Sequence, residues 1–250
     1  IAKRYAHRGN PLSYRDGMTL TWNGRQLESL TDEELSVSYR YGADGLRTGK
    51  TVNGEEVEYW YEDGRLLYEK RGTDKEFYYS YDGYGNLSCI RYFLNGAQYT
   101  YYFLTNARGD VELIYGGSGV VLARYYYDSW GNTISIKDGN GEEITDPTNI
   151  ALLNPIRYRG YYYDSETGLY YLQSRYYDPT TCRFVNADLS SLSAVSPGTP
   201  QYYKNLYAYC DNNPVMRKDD GGECWLQVLG ATIGGVVGGL FEVGRQVFSG

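Results

Sequence analysis

Residues Phe77–Asn86 read FYYSYDGYGN. The segment begins with an aromatic, proline-free run, which favours a strand, and ends in Asp, Gly and Asn, which favour tight turns. It therefore predicts a β-strand that leads through a Tyr-Asp pair into a hairpin turn. The same pattern recurs at Tyr127–Asn132, which reads YDSWGN.

Turns of this kind recur along the first half of the chain. The glycines at their centres stand 19 to 24 residues apart, at Gly24, Gly45, Gly64, Gly85, Gly109 and Gly131. This spacing is typical of a repeat array in which each repeat is one hairpin. Because an isolated hairpin is barely stable in water, we predict that the hairpins pair edge to edge in one continuous sheet, as a solenoid or a curled sheet.

The composition favours the same all-β fold class. The 250 residues include 31 Tyr and 31 Gly, against 6 Phe and 4 Trp. A tyrosine ring supplies apolar area and cross-strand packing, and its hydroxyl can reach water or a backbone group. We therefore interpret the tyrosines as sheet packing, in preference to carbohydrate stacking or catalysis, and assign none of them to a site.

Charge and rare residue types argue against several classes of function. The single histidine, His7, leaves little basis for a Ser-His-Asp or Cys-His hydrolase or for a His-rich metal site. A net charge of -7, with scattered Lys and Arg, argues against nucleic-acid binding. The cysteines at 89, 182, 210 and 224 form no C-x-x-C pair. We predict neither a cofactor nor a metal.

The start of the sequence is typical of a piece of a longer protein or of a processed product. It begins IAKRY, without an initiator Met or a secretory leader. Residues 225–241 (WLQVLGATIGGVVGGLF) are apolar and glycine-rich and reach the short limit of a membrane span. A helix or plug packed inside the protein is favoured there, with membrane contact as the alternative. Residues 224–250 are too few for an enzyme core.

One long segment after the repeats carries a family resemblance. Residues 154–179 read NPIRYRGYYYDSETGLYYLQSRYYDP, and Arg183-Phe184 follows. This segment closely resembles the core-associated segment of the Rhs (rearrangement hotspot) proteins, and the upstream Tyr-Asp turns resemble their YD repeats. The resemblance extends over residues 10–222.

The resemblance implies that the YD hairpins spiral into a hollow shell, as in bacterial polymorphic toxins, the C component of insecticidal toxin complexes and animal teneurins. Residues 1–150 would be the hairpin array, 151–223 the segment that closes the shell, and 224–250 the lead-in to a C-terminal toxin or plug. The implied function is encapsulation of that effector by a secreted or cell-surface bacterial protein. The implied partners are the effector, the missing N-terminal part of the shell and an immunity protein.

The resemblance also implies a self-cleavage site of the aspartic-protease type. Asp188, in FVNAD, matches the first family aspartate, and Asp219, in PVMRKDDGGE, matches the second. Cleavage would fall between Glu223 and Cys224. Two close carboxylates can supply an acid and a base without histidine, because like charges push one pKa upward. Because the substrate is part of the same chain, its effective concentration is high, and a single cleavage event is enough.

The sequence departs from the family pattern near these residues. Leu189 and Asp220 stand where the family has proline, Glu223 replaces the leucine before the cut, and Cys182 replaces a glycine. Asp220 and Glu223 add negative charge, which raises the pKa of neighbouring carboxyl groups. The departures slightly favour a shell-closing segment without chemistry over self-cleavage, and they leave open whether the chain is an enzyme.

A second hypothesis is a non-catalytic cell-surface or adhesion module whose hairpin array binds carbohydrate or another protein. A free amino terminus at Cys224 would favour the toxin shell, whereas glycan binding without cleavage would favour the adhesion module. The fold alone does not distinguish the two, because one fold supports several functions.

Overall fold

The computed structural model describes residues 5, 9–188, 205–219, 221–222 and 225–227. Twelve antiparallel strands follow one another, each hydrogen-bonded to its neighbours in sequence. They are β1 (Thr19–Asn23), β2 (Gln26–Thr31), β3 (Ser36–Tyr41), β4 (Arg47–Val52), β5 (Glu55–Glu62), β6 (Arg65–Arg71), β7 (Lys75–Tyr81), β8 (Leu87–Leu94), β9 (Ala97–Thr105), β10 (Val111–Tyr115), β11 (Val121–Tyr127) and β12 (Thr133–Lys137). Within the described residues β1 and β12 each pair with one strand, so the sheet is an open meander. The predicted all-β array of hairpins is confirmed.

The six glycine turns identified in the sequence lie at one edge of this meander. Each connects an odd-numbered strand to the next strand, so one repeat is one hairpin. All six glycines have positive φ, as Gly85 does at 85°, a backbone region that glycine enters without strain. Turns at the opposite edge include Asn53-Gly54 and Asn95-Gly96, in which both residues have positive φ, as hairpin turns of the Asn-Gly type require.

The two residues of each Tyr-Asp pair make different contacts. In the turn after β7, Oδ1 of Asp82 accepts the amides of Tyr84 at 2.9 Å and Asn86 at 2.8 Å. The register of the ladder shifts just before Tyr81, whose hydroxyl donates to the Leu66 carbonyl on the preceding hairpin at 2.9 Å. The aspartate thus accepts backbone amides of the turn, while the tyrosine hydroxyl donates to a carbonyl of the neighbouring hairpin. Bulges of this kind strengthen the twist of a sheet.

A second, shorter sheet packs on one face of the meander. After an exposed loop come a four-residue helix, α1 (Ile150–Leu153), and the antiparallel strands β13 (Tyr162–Asp164), β14 (Leu169–Leu172), β15 (Arg175–Asp178) and β16 (Arg183–Phe184). We call β13–β16 the inner sheet. Every residue of β14 and β15 is buried. The hydrophobic core lies between the two sheets, where Tyr162, Tyr171 and Tyr176 join residues from all of β1–β12 except β4.

The C-terminal segment is described only in part. β17 (Arg217–Asp219) pairs antiparallel with β18 (Trp225–Gln227), so strand structure extends beyond residue 224, where the sequence favoured a helix or plug. Residues 228–250, with most of the 225–241 stretch, lie outside the described residues. Among the described residues, no helix is both long and apolar enough to cross a membrane.

A buried ion pair joins the inner sheet to the meander. The Arg47 guanidinium in β4 donates to both carboxylate oxygens of Asp164 in β13, at 2.6 and 3.0 Å, and Lys50 donates to the same carboxylate at 2.8 Å. The side chains of Arg47 and Asp164 are fully buried. Five tyrosine rings surround the guanidinium, with centroids 4.4 to 6.0 Å from its central carbon. Cation–π attraction therefore supplements the ion pair.

Burial by itself raises the pKa of Asp164, but the charges of Arg47 and Lys50 outweigh it, and the net pKa lies below its usual value. The lowered pKa stabilises the fold fully at pH values above the pKa that an aspartate has in the unfolded chain, about 4. This contribution is lost as the pH falls through the lowered pKa of the folded state.

We predict that Asp164→Asn lowers the free energy of unfolding by about 3–5 kcal/mol, because it leaves a buried guanidinium without its counter-charge. The measurement is chemical denaturation at neutral pH. The control is Glu56→Gln, which breaks the exposed Arg40–Glu56 pair at 2.6 Å and is expected to cost less than about 1 kcal/mol. Equal losses in the two variants would contradict a special role for the buried pair.

Candidate functional site

The structure brings the two aspartates matched by the family resemblance to one place. Asp188 follows β16, and its amide donates to the carbonyl of Leu206 at 2.9 Å. Asp219 ends β17, where its amide donates to the Tyr161 hydroxyl at 3.2 Å and its carbonyl accepts that hydroxyl's hydrogen at 2.6 Å. Backbone hydrogen bonds thus fix both segments against the inner sheet and the residues around it.

Arg175, the first residue of β15, bridges the two carboxylates. Its Nη2 lies 3.3 Å from Oδ2 of Asp219 and 3.7 Å from Oδ2 of Asp188. Its Nη1 donates to the Leu206 carbonyl at 3.3 Å, and its Nε donates to the carbonyl of Gly222. Because one rigid guanidinium holds all of these oxygens, it fixes the separation of the carboxylates and the course of the chain after Asp219.

The chain after Asp219 is held against the carboxylate itself. Oδ1 of Asp219 accepts the Gly222 amide at 2.6 Å and the Gly221 amide at 3.3 Å. The Gly221 carbonyl accepts a hydrogen bond from Oγ of Ser174 at 2.7 Å. These contacts position the segment that immediately precedes the predicted cleavage point. Glu223 and Cys224, with the predicted scissile bond, lie outside the described residues, as do Leu189 and Asp220.

The electrostatic environments of the two carboxyl groups differ. The side chain of Asp219 is only 4% exposed and that of Asp188 is 13% exposed. Burial is the main cause that raises the pKa of Asp219 above its usual value. Arg175 and the amides of Gly221 and Gly222 oppose this rise, and the negative charge of Asp188 adds to it weakly. The sequence argument expected like-charge repulsion to dominate, whereas desolvation is the larger cause here.

This arrangement can supply an acid without histidine or a reactive thiol. A buried carboxyl with a raised pKa keeps its proton to a higher pH, as a general acid requires. Cys210 lies nearby, and burial raises the pKa of its thiol to about 12, so it stays protonated and is a poor nucleophile at neutral pH. The part of the chain that the structure describes contains no cluster of His, Cys, Asp or Glu able to hold a metal ion.

The sequence argument missed Arg175 and Tyr161. Arg175 is a charged residue within the aromatic run of Leu169–Asp178, and a charge on a strand buried on both faces indicates a buried partner. That signal is visible in the sequence but does not identify the partners, which lie 13 and 44 positions further along the chain. Tyr161 is one tyrosine among 31 and carries no distinguishing signal.

The structure is an open meander of YD hairpins, and an aromatic inner sheet covers one face of it. The described residues that follow the inner sheet are held against it. This architecture defines a YD-repeat shell. The family model described as teneurin YD-shell matches residues 23–215. The chain therefore belongs to the teneurin YD-shell family.

Several relatives are toxins or nucleases. The tRNA3(Ser)-specific nuclease WapA of Bacillus spizizenii is 39% identical over 235 residues, which cover 90% of this chain and 9% of that protein. The toxin protein Tse5 of Pseudomonas aeruginosa is 31% identical over 111 residues, 40% of this chain and 8% of that protein. This chain thus spans less than a tenth of either relative.

A solved structure gives the same fold. The Photorhabdus luminescens Tc holotoxin pore with a TccC3 mutation superimposes with a TM-score of 0.62 and 20% identity, over 87% of this chain and 10% of that chain. Together with the family match, this similarity confirms the resemblance to the Rhs and YD-repeat proteins.

We predict that Gly222→Ala loosens the segment after Asp219. Gly222 has a φ of 74°, and an added Cβ would lie 2.7 Å from Oγ of Ser174 and 2.8 Å from the Leu172 carbonyl. The strain is expected to cost roughly 1–3 kcal/mol. The measurement is amide hydrogen exchange of the peptide that contains residues 217–222, which should become faster.

The matched control is Gly221→Ala, because a Cβ at that position meets no atom within 4 Å. Equal exchange rates in the two variants would mean that the tight packing of Gly222 does not hold the segment.

Proposed function

We propose that this chain is the shell-closing part of a secreted or cell-surface bacterial toxin that encapsulates a C-terminal effector and releases it by self-cleavage between Glu223 and Cys224. Asp188 and Asp219 are the proposed catalytic residues. The observation that carries the proposal is the convergence of both carboxylates on Nη2 of Arg175, at 3.7 and 3.3 Å.

The family and the relatives support the shell part of this proposal. This chain matches a short stretch of much longer proteins, among them the nuclease WapA and the toxin Tse5. A chain that continues beyond residue 250 into an effector is consistent with that context, and an immunity protein against the effector would be a further partner. We propose 1–150, 151–223 and 224–250 as the hairpin array, the closing segment and the lead-in.

In the proposed reaction, one ionised carboxylate accepts a proton from water, while the other carboxyl group, which is protonated, donates its proton to the nitrogen of the leaving amine. The water oxygen forms a bond to the carbonyl carbon of Glu223, and the bond from that carbon to the nitrogen of Cys224 breaks. Asp219, with its raised pKa, suits the role of acid, which leaves the more exposed Asp188 as the base. Because the substrate is part of the same chain, its effective concentration is high even at a modest site.

The direct test is the intact mass of the denatured protein. We expect the 28.5 kDa chain to divide between Glu223 and Cys224, and Asp188→Asn and Asp219→Asn each to stop the division. Asp138→Asn is the control, because Asp138 accepts the Asn140 amide in the turn after β12 and, within the described part of the chain, forms no hydrogen bond or ion pair with Asp188, Asp219 or Arg175, so its change should leave cleavage intact. If the unmodified chain stays whole, the non-catalytic shell or adhesion module replaces this proposal.

We also predict the direction of the pH dependence. If Asp219 is the acid, cleavage should slow as the pH rises through its pKa, and the midpoint should lie above the usual aspartate value of about 4. The measurement is the rate of product formation, followed by mass spectrometry in buffers on both sides of that value. A rate that increases with pH over the same range would assign Asp219 to the base instead.

A further inference from the structure

A small cavity lies beside the segment that precedes the proposed scissile bond. Its volume is about 180 Å³, below the range of about 300–1,000 Å³ that is typical of small-molecule sites, so it suits a single side chain. The turns after β5 and β7 form one wall, and the β14–β15 hairpin together with Gly221 forms the other. The chain that leads to the proposed scissile bond therefore passes along this cavity.

Among the described residues of the cavity wall, every charged side chain is a cation. These side chains are Arg65, Arg159 and Lys218. Arg159 is buried, and its Nε lies 3.6 Å from Oδ1 of Asp110, which offsets much of its charge. The acidic residues of the adjoining turns lie outside the wall, namely Glu62, Asp63 and Asp82. Arg65 and Lys218 thus give the cavity a positive charge, which favours an anionic occupant.

The guanidinium of Arg65 is held at the cavity, although the residue is exposed. A Cβ added at Gly85 would lie 2.9 Å from its Nη2, so the guanidinium packs against the backbone of the turn after β7. Its charge acts on Tyr81 in the cavity wall, because burial raises the pKa of that hydroxyl and Arg65 opposes the rise. Glu69, which adds to the rise, is compensated by its ion pair with Arg71 at 2.5 Å.

The sequence supplies anionic side chains on both sides of the Gly221-Gly222 pair, at Asp220 and Glu223. Oδ1 of Asp219 accepts the Gly222 amide at 2.6 Å, and Arg175 donates to the Gly222 carbonyl, so the chain leaves this residue from a fixed point. Glu223 follows directly, with its Cα about 3.8 Å from that of Gly222, and its side chain is the longer of the two.

The cavity wall suits both parts of a glutamate side chain. Its leucine and tyrosine side chains provide apolar surface for the methylene groups, and its cations can bind the carboxylate. The family pattern has leucine at this position, for which the apolar surface alone is sufficient. We infer that this cavity is the subsite for the residue before the scissile bond, and that Arg65 and Lys218 select glutamate there.

This inference rests on the proposed self-cleavage and names the class of residue that the site accepts. It also removes a difficulty of the sequence, because cations at the subsite offset the negative charge that Glu223 would otherwise add beside Asp188 and Asp219.

The test is the initial rate of self-cleavage, followed by intact mass in the 250-residue chain made by cell-free translation. Arg65→Glu should slow cleavage about threefold to tenfold, because it replaces an exposed attraction with a repulsion. In a chain that carries Glu223→Leu, the same change should alter the rate less than twofold. Glu223→Lys should slow cleavage at least tenfold, and adding Arg65→Glu should restore at least threefold of that loss.

Arg124→Glu is the matched control, because it makes the same change of charge at an exposed residue of β11 outside the cavity wall. Its rate should stay within twofold of the unmodified chain. The inference is overturned if Arg65→Glu slows the Glu223→Leu chain as much as the unmodified chain, if its effect disappears with Asp220→Asn instead of Glu223→Leu, or if Glu223→Lys does not slow cleavage.

A second measurement separates the subsite from the cleavage chemistry. In the Asp219→Asn chain, which should stay whole, the pKa of the Glu223 carboxyl is measured by NMR with isotope-labelled glutamate and assigned by its loss in Glu223→Gln. We expect a value below the usual value of about 4.3 that rises with Arg65→Glu. An unshifted pKa overturns the inference. A lowered, Arg65-dependent pKa in a protein whose unmodified chain never cleaves would support the glutamate contact and refute self-cleavage alone.

Discussion

The association of the two sheets depends on the Arg47–Asp164 ion pair. The partners are 117 positions apart, and both side chains are excluded from water. Removing Asp164 would leave the Arg47 guanidinium buried without its counter-charge, so the meander depends on the inner sheet to compensate this charge. Five tyrosine rings surround this guanidinium, and its two hydrogen bonds to Asp164 hold β13 of the inner sheet against β4 of the meander.

Tyrosine hydroxyls extend this link across neighbouring strands. Tyr59 donates to the hydroxyl of Tyr162 at 3.1 Å, and Tyr162 donates to the buried carboxylate of Glu69 at 2.9 Å. Tyr79 donates to the other oxygen of Glu69 at 2.6 Å. Phenylalanine would fill the same space but could not satisfy a buried carboxylate. The abundance of tyrosine therefore follows from the need to pack two sheets around charged groups.

The sequence predicted the features that repeat locally and missed those that depend on distant partners. The hairpins follow from strand and turn residues within each repeat, so the all-β meander could be predicted from spacing. The convergence of Asp188 and Asp219 could be expected only from the family resemblance, because no local pattern relates them. Arg175 was missed, because its partners Asp188 and Asp219 lie 13 and 44 positions further along the chain.

The order of the strands has a consequence for how the chain folds during synthesis or export. Each strand of the meander pairs only with its neighbours in sequence, so the hairpins can form one after another as the chain emerges, at little cost in loop closure. The inner sheet follows the meander in the chain, and until it forms Arg47 lacks the carboxylate of Asp164. Before β13–β16 emerge, the meander therefore lacks both the buried ion pair and the aromatic side chains that pack against its face. The two sheets can associate only after those strands have formed.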